Sequence, residues 1–446
     1  MNTKYFFQIS ISCSIFLAAC AALKHTRNSY PRQIVNSSEL AKYDTTNSLP
    51  SFLVISDIHL NSSAAQNAAH GDTGDSLWMA AKMEIQKLIA ERKPRFIIIL
   101  GDLPRHDTTT KRDSILVRQN IRQVITWFKD SAKIPGEIPL IYVPGNNDSW
   151  NGDYSALTLP DSVYKFDGYP FVNVDSAMAK DHAYVANDSL LRSIGCFSVY
   201  PLGNNNKLKV IALNTVIFNK AAGFPYSQDT TEQSTDAAKE INWLWRQLQQ
   251  SAQNNEKVLL AMHIPPGIDG YSLKNMWYDK NTENSFLSAI EKYQNNIVGL
   301  LAGHTHMDGV RLLTSGDGDI DALLISVAGV APGHGNNPSM KLIEYNPDNF
   351  ALENFSVYYM KYWNRFNNEN KYEQRLTGWN DSFSFRNTAD YNHISDTLSL
   401  LQYFQEMKSL HKDADINHLV NEIYSDYGKK PDSSEVGTSI YVNYRK

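Results

Sequence analysis

The sequence predicts an α/β fold with some parallel strand pairing, and three observations carry that expectation. Short apolar, β-branched runs recur along the chain, as in Leu53-Val54-Ile55-Ser56, Phe96-Ile97-Ile98-Ile99-Leu100 and Val258-Leu259-Leu260-Ala261-Met262. Between them lie longer stretches with apolar residues at helical spacing, so strand and helix alternate through about residue 305. The runs break at glycine, aspartate or histidine, which places polar chemistry outside the carboxyl ends of the strands, where open α/β sheets collect ligands.

With 446 residues, 42% of them hydrophobic and 20% charged, the chain buries a sizeable core and suits one large domain with an appendage, or two domains. The formal charge of −5 and the absence of any basic run argue against electrostatic nucleic-acid binding. The aromatic content of 11% fits a substrate cleft but also ordinary packing.

Taken in order, the chain starts with Asn2-Thr3-Lys4 and an apolar stretch from Tyr5 to Ala19, which reads as a secretory signal too short to span a bilayer comfortably. Its end, Leu17-Ala18-Ala19-Cys20, looks like a bacterial lipobox. Residues 1–20 are then a lipoprotein signal peptide, and Cys20 is the acylated first residue of an exported protein anchored on an outer membrane or cell surface. An ordinary signal peptide with a chance cysteine is the plainer alternative. Residues 21–49, polar and rich in Ser, Asn and Thr, read as a tether. Cys196 is the one cysteine beyond the signal segment, so no intramolecular disulfide is expected.

The first strand ends at Asp57-Ile58-His59, and Gly71-Asp72-Thr73-Gly74-Asp75 reads as turn chemistry. A helix is expected from about Trp78 to Arg92 with Met79, Met83, Ile85, Leu88 and Ile89 on its apolar side, and a second over Ile115 to Lys129. The strand Ile138 to Val143 leads into Gly145-Asn146-Asn147-Asp148, and the stretch from Trp150 to Tyr200 is irregular. Further on, a strand at Leu208 to Leu213 precedes a helix from about Thr235 to Ser251, whose Ile241, Leu244, Trp245 and Leu248 are expected in the core. Ile297 to Ala302, Ala322 to Val327 and Lys341 to Tyr345 complete the strands of a domain placed at 50–350. The remainder, 351–446, is expected to be largely helical from about 390, over Ile394 to His411 and Ile416 to Tyr424.

The strand ends supply Asp57 and His59, Asp102, Asn146 and Asp148, His263, then His304 and His306, all imidazole, carboxylate or amide donors without a thiolate. Such a set suits Zn, Fe or Mn and excludes a cysteine-type structural zinc site. These blocks, in this order, resemble the calcineurin-like metallophosphoesterases. Within them, Gly101-Asp102-Leu103-Pro104-Arg105-His106-Asp107, His263-Ile264-Pro265-Pro266-Gly267, Gly303-His304-Thr305-His306-Met307-Asp308 and Asn336-Asn337-Pro338-Ser339 are similar to the acid sphingomyelinase-like phosphodiesterases.

The resemblance implies a four-layer α/β/β/α sandwich of two mixed sheets, with a C-terminal helical appendage, and a pair of divalent metals, Zn before Fe or Mn. Asp57, His59 and His306 would bind the first ion, Asn146, His263 and His304 the second, and Asp102 would bridge them. It further implies hydrolysis of phosphodiesters, with monoesters open, by a metal-bridging hydroxide, and His106 as the acid that protonates the departing oxygen. Nucleotides, other small phosphoesters and phospholipid head groups are the implied substrates. The short tether cannot hold the lipid-presenting domain of the sphingomyelinase proper, which favours soluble esters.

One departure is Asn147, which stands where the family carries a histidine near phosphate or leaving group. An amide donates hydrogen bonds but transfers no proton, so a metal-binding surface lipoprotein with reduced or lost turnover is the rival reading. A purely structural lipoprotein would leave the ligand clusters unexplained. Asp107 is a candidate partner for His106 or a turn residue, with Asp308 similarly open, and His334 is a candidate substrate contact or a solvent-facing loop residue. His70, His182, His393, His411 and His418 carry no assigned role.

Overall fold

The computed structural model describes residues 49–62, 71–106, 114–132, 134–136, 138–149, 152–157, 171–175, 182–219, 230–269, 277–315, 318–333, 336–360, 379, 381–385, 398–410, 416 and 441–443. The expected signal segment, Cys20, residues 21–48, Asp107, His70, His334, His393, His411, His418 and nearly all of the helix expected at Ile416 to Tyr424 lie outside them.

In chain order, the first run of elements is β1 (Ser51–Ile55), α1 (Asp75–Arg92), β2 (Ile97–Ile99), α2 (Ser114–Thr126), β3 (Leu140–Tyr142) and β4 (Phe171–Val172). A second run holds β5 (Tyr184–Asn187), β6 (Phe197–Tyr200), β7 (Leu208–Ala212), α3 (Thr230–Gln253), β8 (Lys257–Ala261), α4 (Lys280–Tyr293) and β9 (Ile297–Ala302). The chain continues with β10 (Gly309–Thr314), β11 (Ile320–Ser326), β12 (Ser339–Tyr345), β13 (Leu352–Tyr359), β14 (Asp381–Ser384), α5 (Leu400–Ser409) and β15 (Tyr441–Asn443).

Two mixed sheets result, a seven-stranded one ordered β14-β13-β12-β1-β2-β3-β4 and an eight-stranded one ordered β15-β10-β11-β9-β8-β7-β6-β5. β1, β2 and β3 are parallel, as are β7, β8, β9 and β11, and antiparallel strands flank both groups. Period-2 alternation then sorts each strand's side chains between two cores. In β2, Ile98 faces a shared core with Val54, Ile141, Val210, Leu259 and Leu301, whereas Ile97 and Ile99 pack outward with Trp78 and Ile85 of α1 and Ile121 of α2. Across the molecule Ile211, Leu260 and Leu300 face Leu244 and Leu248 of α3 and Phe286 and Ile290 of α4. The layers are therefore helix, sheet, sheet, helix, the sandwich that the resemblance implied.

Three departures from expectation have physical causes. Met79 and Met83 of α1 are 55% and 63% exposed, because the buried stripe follows Trp78, Ala81, Ile85, Leu88 and Ile89 and the two methionines form a row outside it. On α3, Trp243 is buried and Trp245 only half-buried, while Ile241, Leu244 and Leu248 are in the core as expected. The division placed at residue 350 runs through a sheet: β13 pairs with β12 from Tyr345↔Leu352 to Ser339↔Tyr359, and β15 extends the other sheet beside β10. The C-terminal region thus contributes strands as well as a helix, and α5 seats Tyr403, Phe404 and Met407 in the core shared by the sheets. Among the described residues no helix is long and apolar enough to cross a membrane.

Candidate metal centre

Parallel strands end on one side of each sheet, so the loops after β1, β2, β3, β8 and β9 converge. Five of the expected ligands occupy the left-handed backbone region: Asp57 (φ 47°), His59 (44°), Asp102 (55°), His304 (68°) and His306 (53°). For residues with a Cβ this conformation costs about 1–2 kcal/mol each, so the surroundings must impose it. Backbone hydrogen bonds do so, with Asp57 N–H donating to Gly101 O at 3.1 Å, His59 N–H to Asp102 O at 2.9 Å and Ala331 N–H to Asp57 O at 3.0 Å. Gly101 (φ 89°) lies against the Gly145 backbone, and a Cβ on Gly145 would strike the Asp102 carboxylate. The loops after β2 and β3 therefore interlock through two glycines.

All seven predicted ligands meet in one cluster, buried except for the half-buried His304. His59 Nε2 lies 3.4 Å and His263 Nε2 3.3 Å from Asp102 Oδ2, and His306 Nε2 lies 3.5 Å from Asp57 Oδ1. The Asn146 Oδ1 is 2.9 Å from His263 Nε2. Potential ligand atoms fall within 4.8 Å of one another in three sets: Asp57 with His59 and Asp102, Asp102 with His263 and His304, and His59 with His106 and His306. Asp102 and His59 each belong to two of these sets, and Asp102 Oδ2 lies between the imidazoles of His59 and His263.

The outward atoms are already oriented. Nδ1 of His59, His263 and His306 faces the carbonyl oxygens of Pro104, Leu100 and Ala331 at 3.1, 2.5 and 3.2 Å, turning each Nε2 toward the carboxylates. For His304 the pattern is reversed, with Nε2 3.2 Å from Tyr154 Oη. Asp57 Oδ2 accepts from Ser56 Oγ–H at 2.5 Å and His304 N–H at 3.0 Å, while its Oδ1, like His59 Nε2, is buried with no hydrogen-bond partner among the described residues. Asn146 Nδ2 donates to Asp153 at 2.6 Å and so aims its carbonyl oxygen inward. Buried, unmated oxygen and nitrogen donors of this kind fit two divalent cations sharing Asp102.

Electrostatics follow from burial among opposite charges. Burial depresses the His59 and His263 imidazoles, but Asp57 and Asp102 outweigh it and raise them to about 9 and about 10. Burial would raise Asp57 and Asp102, yet the surrounding histidines hold both well below the usual carboxylate range. His304 goes the other way, lowered to about 3 by burial and by the neighbouring His263.

Around this cluster lie the remaining predicted residues and several that sequence reasoning missed. His106 is 32% exposed at its side chain and stacks on His59, ring centroids 3.8 Å apart. Its Nδ1 meets Asp72 Oδ1 at 2.7 Å, so the neighbour is Asp72 from the glycine-rich turn. Asn147 is buried against Asp102, its backbone N–H donating to Oδ1 at 2.7 Å and its Nδ2–H to Oδ2 at 2.9 Å. Asp148 accepts the N–H groups of Asp102, Leu103 and Gly145 at 3.0, 3.0 and 2.6 Å, which ties the two loops together. Asp308 pairs with buried Lys341, a structural link between the sheets. Tyr154 and Trp277 stand edge-on to His304 at 5.9 and 4.5 Å. No motif marked them, whereas a carboxylate inside Gly71-Asp72-Thr73 was visible and read only as a turn.

The calcineurin-like phosphoesterase profile matches residues 50–308. Cyclic GMP-AMP phosphodiesterase SMPDL3A of Bos taurus is 30% identical over 281 residues, covering 60% of this chain and 57% of that protein. Sphingomyelinase phosphodiesterase C of Dictyostelium discoideum is 26% identical over 288 residues, covering 61% and 58%, and sphingomyelin phosphodiesterase 2 of Caenorhabditis elegans 28% over 216 residues, covering 48% and 31%. The matched stretch spans less than two thirds of each of these relatives.

Proposed function

The chain belongs to the calcineurin-like phosphoesterase family, and from that premise we propose that it is a metal-dependent hydrolase of phosphodiesters. The observation that carries the reading is the buried Asp102, whose carboxylate lies 3.4 and 3.3 Å from His59 and His263 of two ligand sets, beside the half-exposed His106. Asp57, His59 and His306 would hold one cation and Asn146, His263 and His304 the other, with Asp102 between them. Zn suits this mixed imidazole and carboxylate set, with Fe or Mn next. When bound, the two ions supply Lewis-acid stabilisation of the developing charge and a water activated at neutral pH.

The chain's own groups do the rest. Carbonyls of Leu100, Pro104 and Ala331 fix three imidazole tautomers, so those ligands need no reorientation. Asn147 steadies Asp102 through two N–H groups, a role an amide fills as well as an imidazole. His106, on the open side of the cluster, carries the proton to the departing oxygen. The names of the relatives point to dinucleotide and sphingolipid head-group esters, and we place small phosphodiesters of these kinds first. Export and anchoring through Cys20 belong to the same proposal and rest on Leu17-Ala18-Ala19-Cys20. Cys20→Ser abolishing fatty-acid labelling of the expressed protein is the expected result.

The enzymatic test is release of p-nitrophenol from bis-p-nitrophenyl phosphate, compared with the monoester, after loading with Zn, Mn or Fe. Turnover of the diester supports the reading, and none with any metal refutes it. Asn147 motivates the second reading, a metal-binding surface protein without turnover, for which Asn147→His would lift activity from background.

A further inference from the structure

Asp72 lies outside every expected role, yet it is only 2% exposed and sits behind the half-exposed His106. Its Oδ1 faces His106 Nδ1 at 2.7 Å and also accepts the His106 backbone N–H at 3.2 Å, while Oδ2 accepts from Asn61 Nδ2–H at 3.3 Å. Three short segments lace this carboxylate to the metal-ligand loop. Thr73 N–H donates to His59 O and Asn61 N–H to Thr73 O, both at 2.9 Å. Leu60 N–H donates to Leu103 O at 2.8 Å, and Arg105 N–H to Leu60 O at 3.1 Å. The His106 ring also lies nearly parallel to His59, with 15° between planes.

We infer that Asp72 is the positioning residue of His106: its carboxylate holds the Nδ1 proton and thereby commits Nε2 to the substrate. An imidazole with one ring nitrogen fixed on a buried carboxylate has one tautomer and one orientation, and the opposite nitrogen becomes its working atom. Proton balance is simple. The donating form is the imidazolium: as a water oxygen bonds to phosphorus and the P–O bond to the alcohol breaks, Nε2–H passes its proton to the departing oxygen and the alcohol leaves neutral. The ring is left neutral with its remaining proton on Nδ1 against Asp72, to be reprotonated at Nε2 by the proton the attacking water gives up. The inference rests on the phosphodiesterase reading only for the departing oxygen; the pairing itself is independent of turnover.

The test uses the full chain loaded with Zn or Mn and two esters. Bis-p-nitrophenyl phosphate has a leaving group that departs without a proton, and a dinucleotide phosphodiester has an alkoxide that needs one. Asp72→Asn is expected to lose about 10²-fold in kcat on the dinucleotide and to stay within about threefold on the activated ester, with metal content unchanged. Asp72→Glu should recover much of the loss, and adding Asp72→Asn to His106→Gln should cost nothing more. Equal losses on both esters, or additive losses in the double variant, would overturn the inference.

Long-range 1H–15N correlation of the His106 ring supplies a readout that needs no turnover. The neutral ring should carry its proton on Nδ1 in the parent protein and show mixed tautomers in Asp72→Asn. Identical tautomer populations in the two proteins would overturn the inference. A tautomer change in a protein inactive on both esters would sustain the Asp72 role while sinking the phosphodiesterase reading.

Discussion

Strand β8 is flanked by buried ionic clusters at both ends, and they differ in kind. Ahead of its start, Glu256 meets Lys209 Nζ at 2.6 Å and accepts the Tyr200 hydroxyl at 2.6 Å, with Ser251 Oγ 3.1 Å from the same lysine. Beyond its end, His263 joins Asp57, Asp102 and three further histidines in a cluster where Asp57 Oδ1 and His59 Nε2 have no hydrogen-bond partner among the described residues. One cluster matches anion to cation within the chain; the other keeps donor atoms aimed at a common point. Burial of charge alone therefore does not mark a candidate site; what sets the second cluster apart is several carboxylate and imidazole donors turned toward one another.

Breaking each cluster separately tests this contrast. Asp102→Ala should lower turnover of bis-p-nitrophenyl phosphate on the order of 10³-fold or more and reduce bound metal, read by initial rates and elemental analysis. Lys209→Met strands a buried carboxylate and should cost about 3–5 kcal/mol in denaturant unfolding with kcat unchanged; adding Glu256→Gln should restore much of it. Asn147→Ala, which removes the side-chain donor to Asp102, should weaken metal affinity or activity by about 10–100-fold and leave the unfolding midpoint nearly where it was.

The smallest expected effect concerns Glu240, a buried carboxyl with no salt-bridge partner among the described residues. Its Oε1 accepts the Asn214 N–H at 2.7 Å, and burial, opposed by that bond and reinforced by Asp236, raises it to about 8 from an ordinary 4.5. A raised carboxyl contributes stability that is complete below about 4.5 and is lost as pH rises through about 8. The Tm should fall by a few degrees across that window, and Glu240→Gln should flatten the fall. Thermal scans at both ends of the window, with the two proteins giving the same slope, would remove Glu240 from the account.

Much of this was legible beforehand because it rests on local pattern. Ile97, Ile98 and Ile99 announce a strand buried on both faces, and aspartate or histidine after such a run announces a candidate ligand position. Asp72 was hidden by its setting, since glycine on either side of Asp72-Thr73 signals a turn whatever the carboxylate does. Tyr154 and Asp153 reach the cluster from a stretch without periodicity, where only tertiary packing assigns position. β13 escaped notice because Glu353, Asn354 and Ser356 interrupt the run, although Phe355, Val357 and Tyr359 alternate into the core. Met79 and Met83 show the converse: apolar identity without the right phase on the helix.

The left-handed backbone at Asp57, His59, Asp102, His304 and His306 bears on any attempt to breed a hardier version of this protein. Glycine at each would relieve about 1–2 kcal/mol of backbone strain, so selection for heat resistance that weighed the backbone alone would favour erasing these side chains. A directed-evolution campaign would need a catalytic screen at every round, because its thermal winners would drift first at these five addresses.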